Sequence, residues 1–266
     1  MPAVETVVLG RSSSVTLHDV RCSETSRSPG EEEEQPSFSV AIPMTGVYVH
    51  QVEGRDLVGA PGVGLFMNPG DVYRTSHPAG SGDRTIELAF PAGTVMPFAG
   101  ETFRGSVVPI PPEVDLQVRA LTRTARCRAL TVLDLDERVQ RIVGCLLERS
   151  FADPKTTRRR AIVDRALEYL AWHFAEDADL PTVAAAVGSS PHHLSRLFHA
   201  GTGITLSRYR TELRLRAALE RIEAGATDLS AVASDVGFFD HAHMTRTFRR
   251  ALGRTPTDVR AALADS

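Results

Sequence analysis

Two stretches decide how this chain is read: LPTVAAAVGSSPHHLSRLFHAGTGIT (Leu180–Thr205) and LSAVASDVGFFDHAHMTRTFRRALGRTP (Leu229–Pro256). They are copies of one pattern. Asp179, Leu180, Val183, Ala184, Val187 and Gly188 return 49 residues later as Asp228, Leu229, Val232, Ala233, Val236 and Gly237. Arg196, Phe198, Gly203 and Thr205 return 50 residues later as Arg246, Phe248, Gly253 and Thr255. The step from 49 to 50 puts one extra residue just after the glycine, in a turn, where an insertion costs little.

Each copy spells helix, tight turn, helix. Asp179 and Asp228 are placed to cap the first helix, and Pro181 suits a first turn. Leu180, Val183 and Val187 make an apolar stripe, and Ala184 and Ala233 are small enough for a second helix to cross closely. Gly188 and Gly237 supply the backbone freedom that a sharp turn needs. Ser190, followed by Pro191, and Asp240 then cap the second helices.

The second helices divide by face. Leu194, Leu197 and Phe198 share one side of the first, leaving His192, Ser195, Arg196 and His199 on the other. In the second, Met244 and Phe248 point inward, while Ala242, Thr245, Arg246 and Arg249 point out and His241 sits at the N-terminal end. Short polar side chains with an Arg on one exposed face suit a helix lying in the major groove of duplex DNA, where Arg forks onto guanine. One such helix means little, because an exposed Arg is usually only solvated. Two copies with matched cores and matched Arg positions carry the reading.

Bulk properties agree. The chain has 266 residues, more than the ~100–150 of one ordinary domain, so two domains are expected. Hydrophobic residues make up 42% and charged residues 24%, ordinary for a globular protein. No apolar run approaches the ~20 residues of a membrane span, and the start has no signal-peptide architecture, so a cytoplasmic protein without membrane contact is expected. Cys22, Cys127 and Cys145 are odd in number and scattered, which suggests neither disulfides nor paired metal ligands. The net charge of −3 divides unevenly. Residues 1–154 carry 14 Arg against 20 acids, and residues 155–266 carry 15 Arg and Lys155 against 13 acids. The C-terminal part is therefore mildly basic, which permits DNA binding without proving it.

The first third reads as strands. Phe38, Val40 and Ile42 alternate with smaller or polar neighbours, as do Ile86, Leu88 and Phe90, while Val47 and Val49 alternate with Tyr48 and His50. A period of two predicts half-buried strands. Turn signals separate them: Glu53-Gly54, Pro61-Gly62, Pro69-Gly70-Asp71 and Gly80-Ser81-Gly82-Asp83. Short strands with Gly-rich turns predict a small barrel or sandwich. The acidic run Glu31–Gln35 is expected to be a solvated loop. After Pro109-Ile110-Pro111-Pro112 the period becomes helical. Asp153-Pro154 marks a second boundary, and Trp172, beside Tyr169 and Leu170, is expected in the core.

Residues 157–266 resemble the DNA-binding domain of the AraC/XylS family of transcription regulators. The resemblance rests on the two quoted stretches, on Tyr209 with Leu213-Arg214, on Gly237-Phe238, on the R-x-F of both copies, on the closing G-x-T-P and on Arg260. It implies two helix-turn-helix units joined by a long helix, about residues 206–224, that bind adjacent major-groove segments on one face of duplex DNA. By motif position, His192, Ser195 and Arg196 in the first unit and His241, Ala242, Thr245 and Arg246 in the second fall at base-reading positions. Ala242 offers only a methyl contact. His199, Arg249 and Arg250 are expected at phosphates.

The first 110 residues resemble the family's cupin-like module through GVGLFMNPGDVYRTSHPAGSGDRTIEL, which implies a sensor or oligomerisation role. Tyr73, Arg74, His77 and Glu87 are candidate effector-pocket residues. The fold class expected is α+β: a cupin-like β-barrel or sandwich at residues 1–110, a helical connector with dimer contacts at 111–153, and an all-α DNA-binding domain at 154–266. Double-stranded DNA, RNA polymerase, a small-molecule effector and a second copy of the chain are the expected partners. A competing reading keeps DNA binding but makes the N-terminal domain a dimerisation or protein-interaction module without ligand. No catalytic residues, cofactor or metal are expected. His18, His50 and His77 lack the closely spaced pair of a catalytic metal site, and GAPGVG at 59–64 lacks the Lys-Ser/Thr of a phosphate loop.

Overall fold

The computed structural model describes residues 4–77, 82–91, 106–150 and 157–264. The expected turn at Gly80-Ser81 and the Asp153-Pro154 boundary lie outside the described residues. The chain divides into two compact units, Met1–Ile110 with Gln117–Pro154, and Pro111–Leu116 with Lys155–Ser266. Residues 117–154 thus group with the N-terminal strands instead of standing as a separate connector. Among the described residues, no helix is long and apolar enough to cross a membrane.

In the first unit the strands are β1 (Val4–Arg11), β2 (Thr16–Cys22), β3 (Glu32–Glu34), β4 (Phe38–Thr45), β5 (Tyr48–Val52), β6 (Arg55–Gly59), β7 (Val63–Met67), β8 (Val72–Ser76), β9 (Asp83–Phe90) and β10 (Ser106–Pro109). They form two antiparallel sheets, ordered β1-β2-β9-β4-β7-β10 and β3-β8-β5-β6. Helices α1 (Pro112–Arg126) and α2 (Val132–Ser150) follow.

The alternating pattern proves to mark two covered faces, not one face covered and one solvated. Ile86 and Leu88 of β9 are 0% and 1% exposed, yet Thr85 between them is also buried at 6%. Thr85 hydrogen-bonds Tyr48 of the other sheet, so the polar face of β9 looks between the sheets. On the opposite face, buried Asp19 of β2 accepts from Nε of Arg84 at 2.9 Å and pairs with Arg126 of α1. Burial works to raise the Asp19 pKa, and the two guanidiniums outweigh it, holding the carboxyl below its usual range. The hydroxyls of Ser12 and Ser14 donate to Asp136 of α2.

One acidic segment departs from expectation. Glu32–Glu34 is the strand β3, paired with Val72–Arg74, and not a free loop. A short, exposed, charged edge strand satisfies β8 while discouraging further pairing.

The second unit holds α3 (Thr157–His173), α4 (Leu180–Ala186), α5 (Pro191–Thr202), α6 (Leu206–Glu223), α7 (Leu229–Asp235), α8 (His241–Leu252) and α9 (Pro256–Ala264). The repeat is reproduced bond for bond. Ser189 N donates to Ala184 O and Phe238 N to Ala233 O, each at 2.9 Å. Asp179 and Asp228 cap α4 and α7, while Ser190 and Asp240 cap α5 and α8. Gly203 and Gly253 end α5 and α8 in the left-handed conformation. Thr205 then caps α6, and Thr255 accepts from Asp258 N at the start of α9. The G-x-T spacing is therefore a helix stop followed by a helix start. The extra residue of the second copy is Phe239, in the turn and 91% exposed.

Val183, Ala184, Val187, Val232, Ala233 and Val236 are buried, whereas Leu180 is 36% exposed and stands at the edge of its expected stripe. Trp172 is also exposed, at 37%. The inward face of α3 runs through Val163, Ala166, Leu167 and Leu170, all buried, and a residue two positions beyond Leu170 turns away from it.

The long helix α6 holds the segment before α4. Arg214 donates from Nε to Phe174 O at 2.7 Å and from Nη2 to Glu176 O at 3.0 Å, and Arg210 donates to Ala178 O. Replacing Arg214 with Met is expected to lower stability by about 1.5–3 kcal/mol, the range for hydrogen bonds to a charged group, as read by chemical denaturation.

The two turn glycines differ in their surroundings. Both have positive φ, +66° at Gly188 and +86° at Gly237. A Cβ on Gly188 would meet nothing within 4 Å, whereas one on Gly237 would lie 2.4 Å from Ala175 O. Gly188→Ala should cost only the left-handed penalty of about 1–2 kcal/mol. Gly237→Ala should cost distinctly more, because backbone must move, and equal losses on denaturation would contradict this.

Candidate nucleic-acid interface

The surface of α5 and α8 follows from how each is held. In α5, Leu194, Leu197 and Phe198 are buried, and Phe198 meets Tyr209 of α6 with ring centroids 5.6 Å apart. In α8, Met244 and Phe248 are both 0% exposed and belong to a core with Leu215, Leu219 and Ile222 of α6 and Val232, Ala233 and Val236 of α7. Anchoring one side this firmly fixes what the other side presents.

The outward sides match position for position. His192, Arg196 and His199 of α5 are exposed and Ser195 is half-buried. His241, Ala242, Arg246, Arg249 and Arg250 of α8 are exposed and Thr245 is half-buried. All ten residues expected at bases or phosphates therefore lie on the exposed or partly exposed sides of these two helices. The Thr245 hydroxyl is buried without a hydrogen-bond partner. Arg196 makes a long, 3.4 Å contact to His193 Nδ1 within its own helix, and no ion pair to a carboxylate is seen for it among the described residues.

Ser190 and Asp240 accept from first-turn N–H groups of α5 and α8, and the Asp240 carboxylate offsets part of the positive dipole end of α8. Both caps leave these turns ordered, and a helix N-terminus favours anions such as phosphate. Arg249 and Arg250 lie in the last turn of α8, where cations also complement the helix dipole.

The candidate effector residues separate. Tyr73 and His77 lie on the inner side of β8 and its extension. The Tyr73 ring stacks on His50 at 4.5 Å, and His50 meets Tyr48 at 4.8 Å. Glu87 faces the same interior: it bears on both Tyr48 and Tyr73, and its carboxylate accepts from His18 Nδ1 at 3.1 Å. Arg74 does not join them. It is exposed on the other face of β8, where it pairs with Glu32 at 3.0 Å, as strand alternation requires. Burial pushes the phenols of Tyr48 and Tyr73 up, and burial with nearby His77 pushes His50 down to about 3, so this interior is uncharged at its aromatic side. Tyr48 and His50 join these residues although they were not singled out from the sequence; their same-parity positions on β5 were the available signal.

Comparison with known proteins bears on the helical unit. Residues 183–262 match the family model described as a helix-turn-helix domain. The chain is 30% identical over 133 residues to the HTH-type transcriptional regulator GlxA of Rhizobium meliloti, covering 46% of this chain and 40% of that one. It is 31% identical over 100 residues to the arabinose operon regulatory protein of Escherichia coli, covering 37% and 34%. With the regulatory protein SoxS of Salmonella typhimurium it shares 29% identity over 99 residues, 37% of this chain and 92% of the relative. The matches thus span 34% to 46% of the first relatives' own length. Residues 183–262 are a helix-turn-helix domain.

Proposed function

We propose that this protein is a sequence-specific DNA-binding transcription regulator that reads two adjacent major-groove segments and is modulated by a small molecule at its N-terminal unit. The observation that carries the DNA reading is the matched exposure of α5 and α8: equal lengths, a side-chain cap at each start and a left-handed Gly at each end, and Arg196 and Arg246 exposed at equivalent positions. His192, Ser195, His241, Ala242 and Thr245 surround them as base-reading residues, and His199, Arg249 and Arg250 take phosphates. Ala242 contributes a methyl contact, so direct readout is weighted toward the first unit. RNA polymerase and a second copy of the chain are further partners on this reading, and the cytoplasm is its place of action.

The effector part is supported by the polar interior between the sheets, where Tyr73, His77 and Glu87 converge with Tyr48 and His50. Thermal shift of the full chain against a metabolite panel tests it. Saturable stabilisation by one compound class is expected, and silence throughout would favour a dimerisation or protein-interaction module instead.

With a binding site selected from random duplexes, Arg196→Ala should weaken specific binding by about 1–3 kcal/mol and relax the preference at one base pair. An equal loss on selected and random DNA would assign Arg196 to a phosphate. Arg249→Ala should weaken binding uniformly and make the salt dependence shallower by about one unit of slope. A salt slope unchanged from the parent protein would contradict that assignment.

A further inference from the structure

The expectation that no metal is held rested on spacing along the chain, and folding changes the spacing. Cys22 ends β2 and Asp83 opens β9 directly opposite it in the antiparallel register. His77 follows β8 of the other sheet. One sulfur, one imidazole nitrogen and one carboxylate oxygen from these residues all lie within 4.8 Å of one another. We propose that Cys22, His77 and Asp83 form a divalent transition-metal site, suited to zinc, that joins the two sheets of the N-terminal unit.

Several independent features support a built site. His77 is 1% exposed, and its Nδ1 is buried without a hydrogen-bond partner while Nε2 lies 2.9 Å from Asp83 Oδ1. Burial and the Asp83 contact fix the ring, with Nε2 the nitrogen turned toward Asp83. Asp83 is itself oriented, because the Thr85 hydroxyl donates to its Oδ2 at 2.9 Å, the kind of supporting contact that aims a metal-binding carboxylate.

The backbone around Asp83 is also unusually close. A Cβ on Gly82 would stand 2.0 Å from Cys22 O, and one on Gly46 would stand 2.7 Å from Asp83 Cα. Glycine at both positions lets three segments converge and holds Asp83 beside Cys22. The carboxylates of Glu24 and Glu33 also bear on the Cys22 thiol, adding to a field that attracts a cation.

The donor set selects the metal class. Sulfur, nitrogen and oxygen together suit zinc better than the oxygen-seeking magnesium or calcium. Three protein ligands leave a fourth tetrahedral position for water or for a donor group on a ligand. Donor atoms around tetrahedral zinc sit roughly 3.3–3.8 Å apart, so separations near the 4.8 Å limit must shrink by about 1 Å while the 2.9 Å His77–Asp83 pair opens slightly. His77 also bears on His50, and Asp83 on Tyr48, so a charge held here would be felt in the polar interior.

The test uses the full chain, stripped with a chelator and titrated with cobalt(II) as a spectroscopic substitute. One equivalent should bind with a thiolate-to-cobalt charge-transfer band, and zinc should displace it. Cys22→Ser should abolish the band, while Cys127→Ser, at an exposed thiol, should leave it intact. Asp83→Asn, which keeps the side-chain shape, should weaken zinc binding at least about tenfold in competition with a chromophoric chelator. Circular dichroism checks that each variant is folded. Absence of stoichiometric uptake at micromolar metal, or a charge-transfer band that survives Cys22→Ser, would overturn the site.

Discussion

The close crossing of two short helices at Ala184, and again at Ala233, is the constraint on which the C-terminal unit depends. Helices α4 and α7 have seven residues each, too few to persist alone in water. They exist because their apolar sides are covered, and both alanines are 0% exposed. A larger side chain at either crossing would separate the pair and rotate the helix that follows. The turn glycines and the caps serve the same end, since they set where α5 and α8 begin and which side faces out.

The long helix α6 extends this control beyond each pair. Its buried residues contribute to the core of the second repeat, and Tyr209 meets Phe198 of the first. Its arginines work differently: Arg210 and Arg214 neutralise backbone carbonyls in 174–178, and Arg216, 2% exposed, lies near Asp115 and Glu212 at 3.8 and 3.9 Å. A helix rich in Arg is thus largely structural on its inner sides, and the matched exposed faces belong to α5 and α8. Charge composition alone does not separate these two uses.

The N-terminal unit covers both faces of β9, and between its sheets an apolar cluster around Ala41, Leu65 and Met67 adjoins polar groups. In β9 the apolar residues Ile86 and Leu88 lie on the face where Asp19 and Arg84 meet Arg126 of α1, whereas Thr85 and Glu87 look between the sheets at Tyr48. The tyrosines and histidines between the sheets form one polar, aromatic patch of that interior. Strand parity decides membership residue by residue: Tyr73 and His77 belong to it, and Arg74 between them does not.

The helix-turn-helix repeat, the caps at its helix starts and the exposed faces of its second helices were legible in the sequence, because local spacing along a helix determines face and boundary directly. The strands of the first unit were legible too, but the side each residue faces was not, since a period of two is the same whichever sheet covers which face. The acidic strand Glu32–Glu34 and exposed Trp172 escaped for a related reason: their environment comes from elements distant in the chain. Only the tertiary structure decided that Cys22, His77 and Asp83 converge, because sheet register, and not sequence separation, sets the distance between residues on neighbouring strands.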